Sequence, residues 1–243
     1  MTLARHLVLL AFSIPAILAQ RPSFEVASLK PVQLTGADSY NANLGTARNG
    51  VVTLVNATLA DCLRYAYTIS NDAQLSGPDW IHDKSVRFDI TGKAAPETPL
   101  PQLREMLQTL LAERLKLELH REPRTMSFLA IVPGKNGHKL TPAVEGSDGS
   151  RNRSWLNSII SNRMAMPMLA TLLSRFTRET VIDMTGLTGY YELKLEWVAE
   201  GKDADGPTLY SAVQEQLGLK LEPRKGPVDV LVIDRAERVP LAN

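Results

Sequence analysis

The sequence predicts an α+β protein of two similar strand-helix-strand-helix-strand-strand halves, with helices packed on mainly antiparallel sheets. Three observations predict it. Apolar residues switch repeatedly between helical spacing and strict alternation. The switches run in the same order over residues 51–132 and again over 154–233. Leu115-Lys116-Leu117-Glu118, set between a helix and an apolar strand, is matched by Leu219-Lys220-Leu221-Glu222 in the same setting. Recurrence at this scale is the signature of an internal repeat. Helices alternating with short hairpin-forming strands imply layers, helices on one face of each sheet. The pattern leaves open whether the halves form two sheets or share one.

Taken in order, Phe24 to Val32 reads as a short strand ending at Pro31, and residues 33–50, polar and rich in Gly and Asn, read as a loop. Val51 to Val55 is a β-branched strand. Thr58 with Asp61 three residues on forms a capping box for a helix whose apolar face is Leu59, Cys62, Leu63, Ala66 and Tyr67. Ser76-Gly77-Pro78-Asp79 is a turn, and Val86, Phe88 and Ile90 alternate as a strand with one wet face. Leu103, Met106, Leu107, Leu110 and Leu111 stripe a second helix, after which Leu115, Leu117 and Leu119 alternate. Met126 to Val132 is a more fully apolar strand, closed by the turn Pro133–Gly137.

Ala143 to Arg153 is small, polar and without apolar periodicity, and reads as a linker between a first half at 20–142 and a second at 154–243. The second half opens with a short apolar segment and a helix striped by Leu169, Leu172, Leu173 and Phe176. The turn Gly186–Gly189 leads into a strand alternating Tyr191, Leu193, Leu195 and Trp197. A helix from Thr208 ends at Gly218, a natural residue for the left-handed position after a helix. Leu219–Glu222 and Val228–Ile233 finish the unit.

The first 19 residues have the form of a cleavable secretory signal: Arg5, then the 12-residue apolar run Leu7–Leu18, then Ala19, with Gln20 as the new N-terminus. The run is too short to span a bilayer, which takes about 20 apolar residues. Its removal leaves 224 residues carrying 26 basic and 26 acidic side chains. A neutral chain has no bulk electrostatic reason to bind nucleic acid or an anionic membrane. Export with a single cysteine, Cys62, excludes an internal disulfide, so the core holds the fold alone. Cys62 lies on an apolar helical face, where the choice is between a small buried hydrophobe and a reactive thiol.

The usual marks of catalysis and cofactor binding are missing. His82, His120 and His138 are far apart in the chain, with no HExxH pair. No serine sits in a GxSxG elbow or precedes a lysine by three, and neither GxxxxGK[ST] nor GxGxxG occurs. Asp203-Ala204-Asp205-Gly206 resembles a fragment of a calcium loop but lacks the next acidic position and runs into Pro207. No cofactor is expected. Trp80, Trp155 and Trp197 either anchor cores or, if exposed, form a binding platform.

The most distinctive run is Asp183-Met184-Thr185-Gly186-Leu187-Thr188-Gly189-Tyr190-Tyr191. Gly186 and Gly189 supply positive φ or close approach, and Asp183, Thr185 and Thr188 can bond to the turn backbone. The run is either a rigid turn that sets the register of the strand from Tyr191, or a contact loop presenting Tyr190.

Five motifs in order carry a resemblance: Phe24-Glu25-Val26-Ala27-Ser28-Leu29-Lys30-Pro31, Ser76-Gly77-Pro78-Asp79-Trp80, Leu111–Leu117, Asp183–Tyr191 and Gln214–Glu222. Together they resemble the exported, uncharacterised "soil-associated" proteins of acidobacteria, a family defined by a domain of unknown function. The resemblance covers nearly all of the chain after the signal and implies no known activity. Related domains occur on the outer side of membrane metallopeptidases of the β-lactam-sensor type, which implies sensing or binding; no peptidase motif is present here. Val51–Tyr67 is also similar to the short N-terminal domain of secretins and TonB-dependent receptors, an envelope protein–protein module.

The expectation is therefore a periplasmic or extracellular non-catalytic module that binds a small ligand or an envelope protein, between its halves or on an open sheet edge. The alternatives are a secreted hydrolase with a site assembled from separated loops, and a structural envelope protein acting by self-association.

Overall fold

The computed structural model describes residues 21–33, 42–146, 153–155, 157–198 and 205–241. The expected signal at residues 1–19, residues 147–152 of the expected linker, and Asp203 and Ala204 of the Asp203–Gly206 run lie outside the described residues. The first half contains β1 (Val26–Pro31), β2 (Asn43–Arg48), β3 (Val51–Ala57), α1 (Leu59–Tyr67), β4 (Leu75–Ser76), β5 (Phe88–Lys93), α2 (Leu100–Leu115) and β6 (Glu118–Pro133). The second contains β7 (Thr141–Pro142), β8 (Arg153–Trp155), β9 (Ser158–Met164), α3 (Met166–Thr177), β10 (Val181–Asp183), β11 (Tyr191–Glu196), α4 (Leu209–Leu217) and β12 (Leu219–Arg235); β7, within the first half by the sequence boundary at 142, is counted here because it pairs with β11.

The fold is α+β, with three sheets among the described residues. Two are fully antiparallel, ordered β1-β5-β3-β2 and β7-β11-β9-β8, so corresponding strands of the two halves take corresponding places. The third is shared and ordered β10-β6-β12-β4. Its centre is the antiparallel pair β6–β12, in which Thr125 stands opposite Pro227. The short outer strands are exchanged: β10 of the second half runs parallel to β6, and β4 of the first runs parallel to β12.

Each half thus borrows its last strand residues from the other. Leu231 and Ile233 of β12 are buried with the first-half core, around Leu54, Leu63 and Leu107. Leu129 and Ile131 of β6 are buried with the second-half core, around Ile159, Leu173 and Leu195.

Local chemistry explains the elements. The Thr58–Asp61 capping box forms reciprocally at the start of α1. Thr208 caps α4 by accepting from the Ser211 amide, and Gly218 closes that helix at φ 65°. Phe88, Ile90 and Gly92 face the core along β5, with Asp89, Thr91 and Lys93 outward.

Four differences from the sequence reading have physical reasons. The two strands expected at the end of each half are one, 16 residues long in β6 and 17 in β12. Pro123, Pro223 and Pro227 are tolerated in these strands because β10 and β4 each cover only the far end of one of them, leaving open edge beside the prolines. Leu115–Glu118 does not correspond to Leu219–Glu222. Lys116 and Gly218 are the left-handed residues ending α2 and α4, so Leu117 aligns with Leu219 and the offset is two residues from the sequence match. Residues 33–50 are not all loop, since Asn43–Arg48 forms β2, joined to β3 by Asn49 and Gly50 at φ 48° and 73°. Two positive φ values are what a tight hairpin turn needs. Finally, Val181–Asp183 and Leu75–Ser76 are strands that three and two residues are too few to announce.

Candidate functional site

The run Asp183–Tyr191 is a self-bonded turn. Asp183 Oδ1 accepts from the Thr185 amide at 2.9 Å and from its hydroxyl at 2.7 Å. Thr185 Oγ1 accepts from the Leu187 amide at 3.1 Å, and the Tyr191 hydroxyl donates to the Thr188 carbonyl at 3.0 Å. Gly186 and Gly189 sit at φ 69° and 87°, and a Cβ on either would meet nothing within 4 Å. Their requirement is conformational, with no close approach. Tyr190 is 47% exposed, with the Arg163 guanidinium 3.8 Å from its ring centroid. Its carbonyl accepts from the Ala143 amide, which ties the loop to the end of β7.

The histidines stay apart. His82 and His138 are exposed, and His138 meets the Tyr191 ring edge-on at 5.9 Å. His120 lies on β6, its Nδ1 2.9 Å from Asp234 and its Nε2 3.7 Å from Glu122. The hydrogen bond to Asp234, aided by both negative charges, raises its pKa above 6.5. Among the described residues, no group of three or more His, Cys, Asp or Glu is placed to hold a metal ion. Cys62 is buried, and burial, with Asp61 adding to it, pushes its thiol far above the thiolate range. Trp80 and Trp197 are buried anchors, Trp80 beneath Arg238 and Trp197 edge-on to Phe176.

A site between the halves is one of the two places the sequence reading names for a ligand, but it singles out none of the wall residues of the concavity that joins them. A cleft of about 860 Å³ runs between α1 and α3, within the range of small-molecule sites. Asp61, Arg64, Tyr65 and Thr68 line one wall; Met168, Thr171, Leu172 and Arg175 line the other. Both sets follow i, i+3, i+4, i+7, so each is one helical face. Counted from the N-caps Thr58 and Ala165, they are the same face of the corresponding helix in each half. Core positions agree: Leu59, Cys62, Leu63 and Ala66 are buried on α1 where Met166, Leu169, Ala170 and Leu173 are buried on α3. The two faces carry different chemistry.

The walls are held firmly. Arg64 bridges Asp61 and Asp72, the latter at 2.6 Å. The Asn71 side-chain Nδ2 donates to the Arg178 carbonyl at 3.1 Å, linking the first half to the end of α3. Ser174, buried on α3, donates to the Ala170 carbonyl and accepts from the Val181 amide, fixing α3 to β10. The Tyr65 ring rests on Gly45, where a Cβ would come within 2.1 Å of it. Gly45, at φ 130°, lies within the irregular stretch of β2 between Asn43 and Thr46. Burial raises the Tyr65 pKa, against the opposing charge of Arg104. Arg104 of α2 lies 5.5 Å from that ring, and Arg178 adds a fourth cation to the cleft.

Comparison with known proteins gives a family and no relative of known function. No curated protein matches the chain, and no solved structure does. The family described as "Protein of unknown function (DUF3738)" matches residues 60–236, which takes in both helical walls of the cleft, the turn at Asp183–Tyr191 and the exchanged strands. The chain belongs to that family of proteins of unknown function.

Proposed function

We propose that this chain is an exported, non-catalytic binding module of the periplasm or extracellular space, and that a small ligand occupies the cleft between α1 and α3. One observation carries the reading: equivalent faces of equivalent helices, one from each half, frame a single concavity of ligand size. The strand exchange supports it by fixing the two walls relative to each other, so the site is preformed and loses little to ordering on binding. The lining combines arginines and aspartates with hydroxyl, amide and apolar side chains, and among the described residues it includes no histidine or cysteine. Export rests on Arg5, Leu7–Leu18 and Ala19, and predicts a mature chain beginning at or near Gln20.

The test is capture followed by obstruction. Protein purified from the envelope of a secreting host is extracted, and the small molecules released are identified by mass spectrometry. A compound that rebinds at one per chain, and is lost in Leu172→Trp with unchanged melting temperature, supports the reading. Rebinding undiminished by Leu172→Trp contradicts it.

A further inference from the structure

Resting on the reading that the cleft is the binding site, we infer that its ligand is a small amphipathic anion: a carboxylate, phosphate or sulfonate head on an apolar body. The charges point there. Of six charged side chains lining the cleft, the two acids, Asp61 and Asp72, are both taken by Arg64. Arg104, Arg175 and Arg178 make no ion pair with any described residue, and they reach the cleft from two different helices and the end of one. Guanidinium groups bind carboxylates and phosphates with paired, directional hydrogen bonds. Single unpaired arginines are ordinary on a surface; three converging on one concavity make an anion site.

The apolar half of the argument is independent. Leu44, 50% exposed, and Met168, 39% exposed, both open onto this cleft. Leu172 stands one turn from Met168 on the same face of α3. Water-exposed leucine and methionine beside a cation cluster match a ligand with an apolar portion to bury. The Tyr65 ring, seated on Gly45, lies 5.5 Å from the Arg104 guanidinium, a cation–π contact that leaves that cation without a carboxylate partner among the described residues.

Two dyes sharing one aromatic body separate the possibilities: 8-anilinonaphthalene-1-sulfonate, an anion, and N-phenyl-1-naphthylamine, which lacks the sulfonate. The anion is expected to saturate at one per chain, to bind at least tenfold more tightly than the neutral dye, and to weaken as salt rises. Arg175→Gln with Arg178→Gln changes two exposed side chains; it is expected to weaken the anion about tenfold, leaving the neutral dye and the melting temperature unchanged. Equal affinities for the two dyes, insensitivity to the double variant, or no saturable anion binding would overturn the inference. Leu172→Trp distinguishes the failures. If only the neutral dye binds and the variant abolishes it, the cleft stands and the anionic class falls. If anion binding survives Leu172→Trp, the cleft itself is the wrong site.

Discussion

Leu129 on β6 and Leu231 on β12 hold equivalent positions in the two halves, and each is buried in the core of the half to which it does not belong. Leu129 stands beside Val181 and Leu231 beside Leu75, in matching parallel contacts. Neither core is complete without the opposite strand. The halves are therefore expected to unfold together. Leu129→Ala and Leu231→Ala each remove a buried leucine and are expected to cost about 3 kcal/mol. Calorimetry of either variant is expected to show one transition, as in the parent. Two transitions, with one half unaffected, would contradict the exchange.

The residues ending α2 and α4 make a second comparison. Lys116 and Gly218 both lie in the left-handed region, at φ 45° and 65°. Lysine is disfavoured there and glycine is not. Lys116→Gly is expected to stabilise by roughly 0.5–1 kcal/mol, the left-handed penalty of a side chain less glycine's entropic cost, and the lost ion pair with Glu237 is exposed and worth little. Gly218→Ala is expected to destabilise by more than that, since its Cβ would lie 2.7 Å from the Gly137 carbonyl oxygen. Chemical denaturation of the two variants checks both signs.

At the Asp183–Tyr191 turn the expectation is narrower. Gly189→Val places a β-branched residue at φ 87° with open space around it, so only backbone cost remains, about 1–2 kcal/mol. Tyr190→Ala loses the stack with Arg163 at a half-exposed position, and is expected to cost under about 1 kcal/mol. Thermal melts that reverse this ranking would mean that Tyr190 carries more than its visible contacts.

His120 gives a pH signature. The hydrogen bond to Asp234 and the charges of Asp234 and Glu122 raise its folded pKa above 6.5. A raised pKa means that its stabilisation is complete below the unfolded value and is lost as pH rises through the folded one. Stability is thus expected to decline slightly as pH rises from near 6.5 through the folded value. NMR titration of the His120 ring reads the pKa directly, and Asp234→Asn is expected to bring it back toward 6.5.

Caps and stripes were legible in the sequence because their signals are local. Thr58, Thr208 and Gly218 stand where the sequence places them, and the core faces of α1 to α4 follow the leucine spacing. β2 was missed because Leu44 and Ala47 are its only apolar residues, although Asn49-Gly50 is a hairpin turn pair. β4 and β10 carry no readable signal, since each is defined by a partner far along the chain. The residues of the cleft were not legible for a different reason. Asp61, Arg64 and Thr68 read as an ordinary solvated helix face, and only the fold sets that face opposite Met168, Leu172 and Arg175.

The central claim is that the cleft between α1 and α3 is where this protein binds. A crystal structure of the protein with bound 8-anilinonaphthalene-1-sulfonate tests it most directly. The account predicts one molecule between the helices, its sulfonate on Arg104, Arg175 or Arg178 and its rings against Leu44, Met168 and Leu172. A dye seated on an open edge of the β6–β12 pair, or on the turn at Tyr190, with the cleft holding only water, would contradict it.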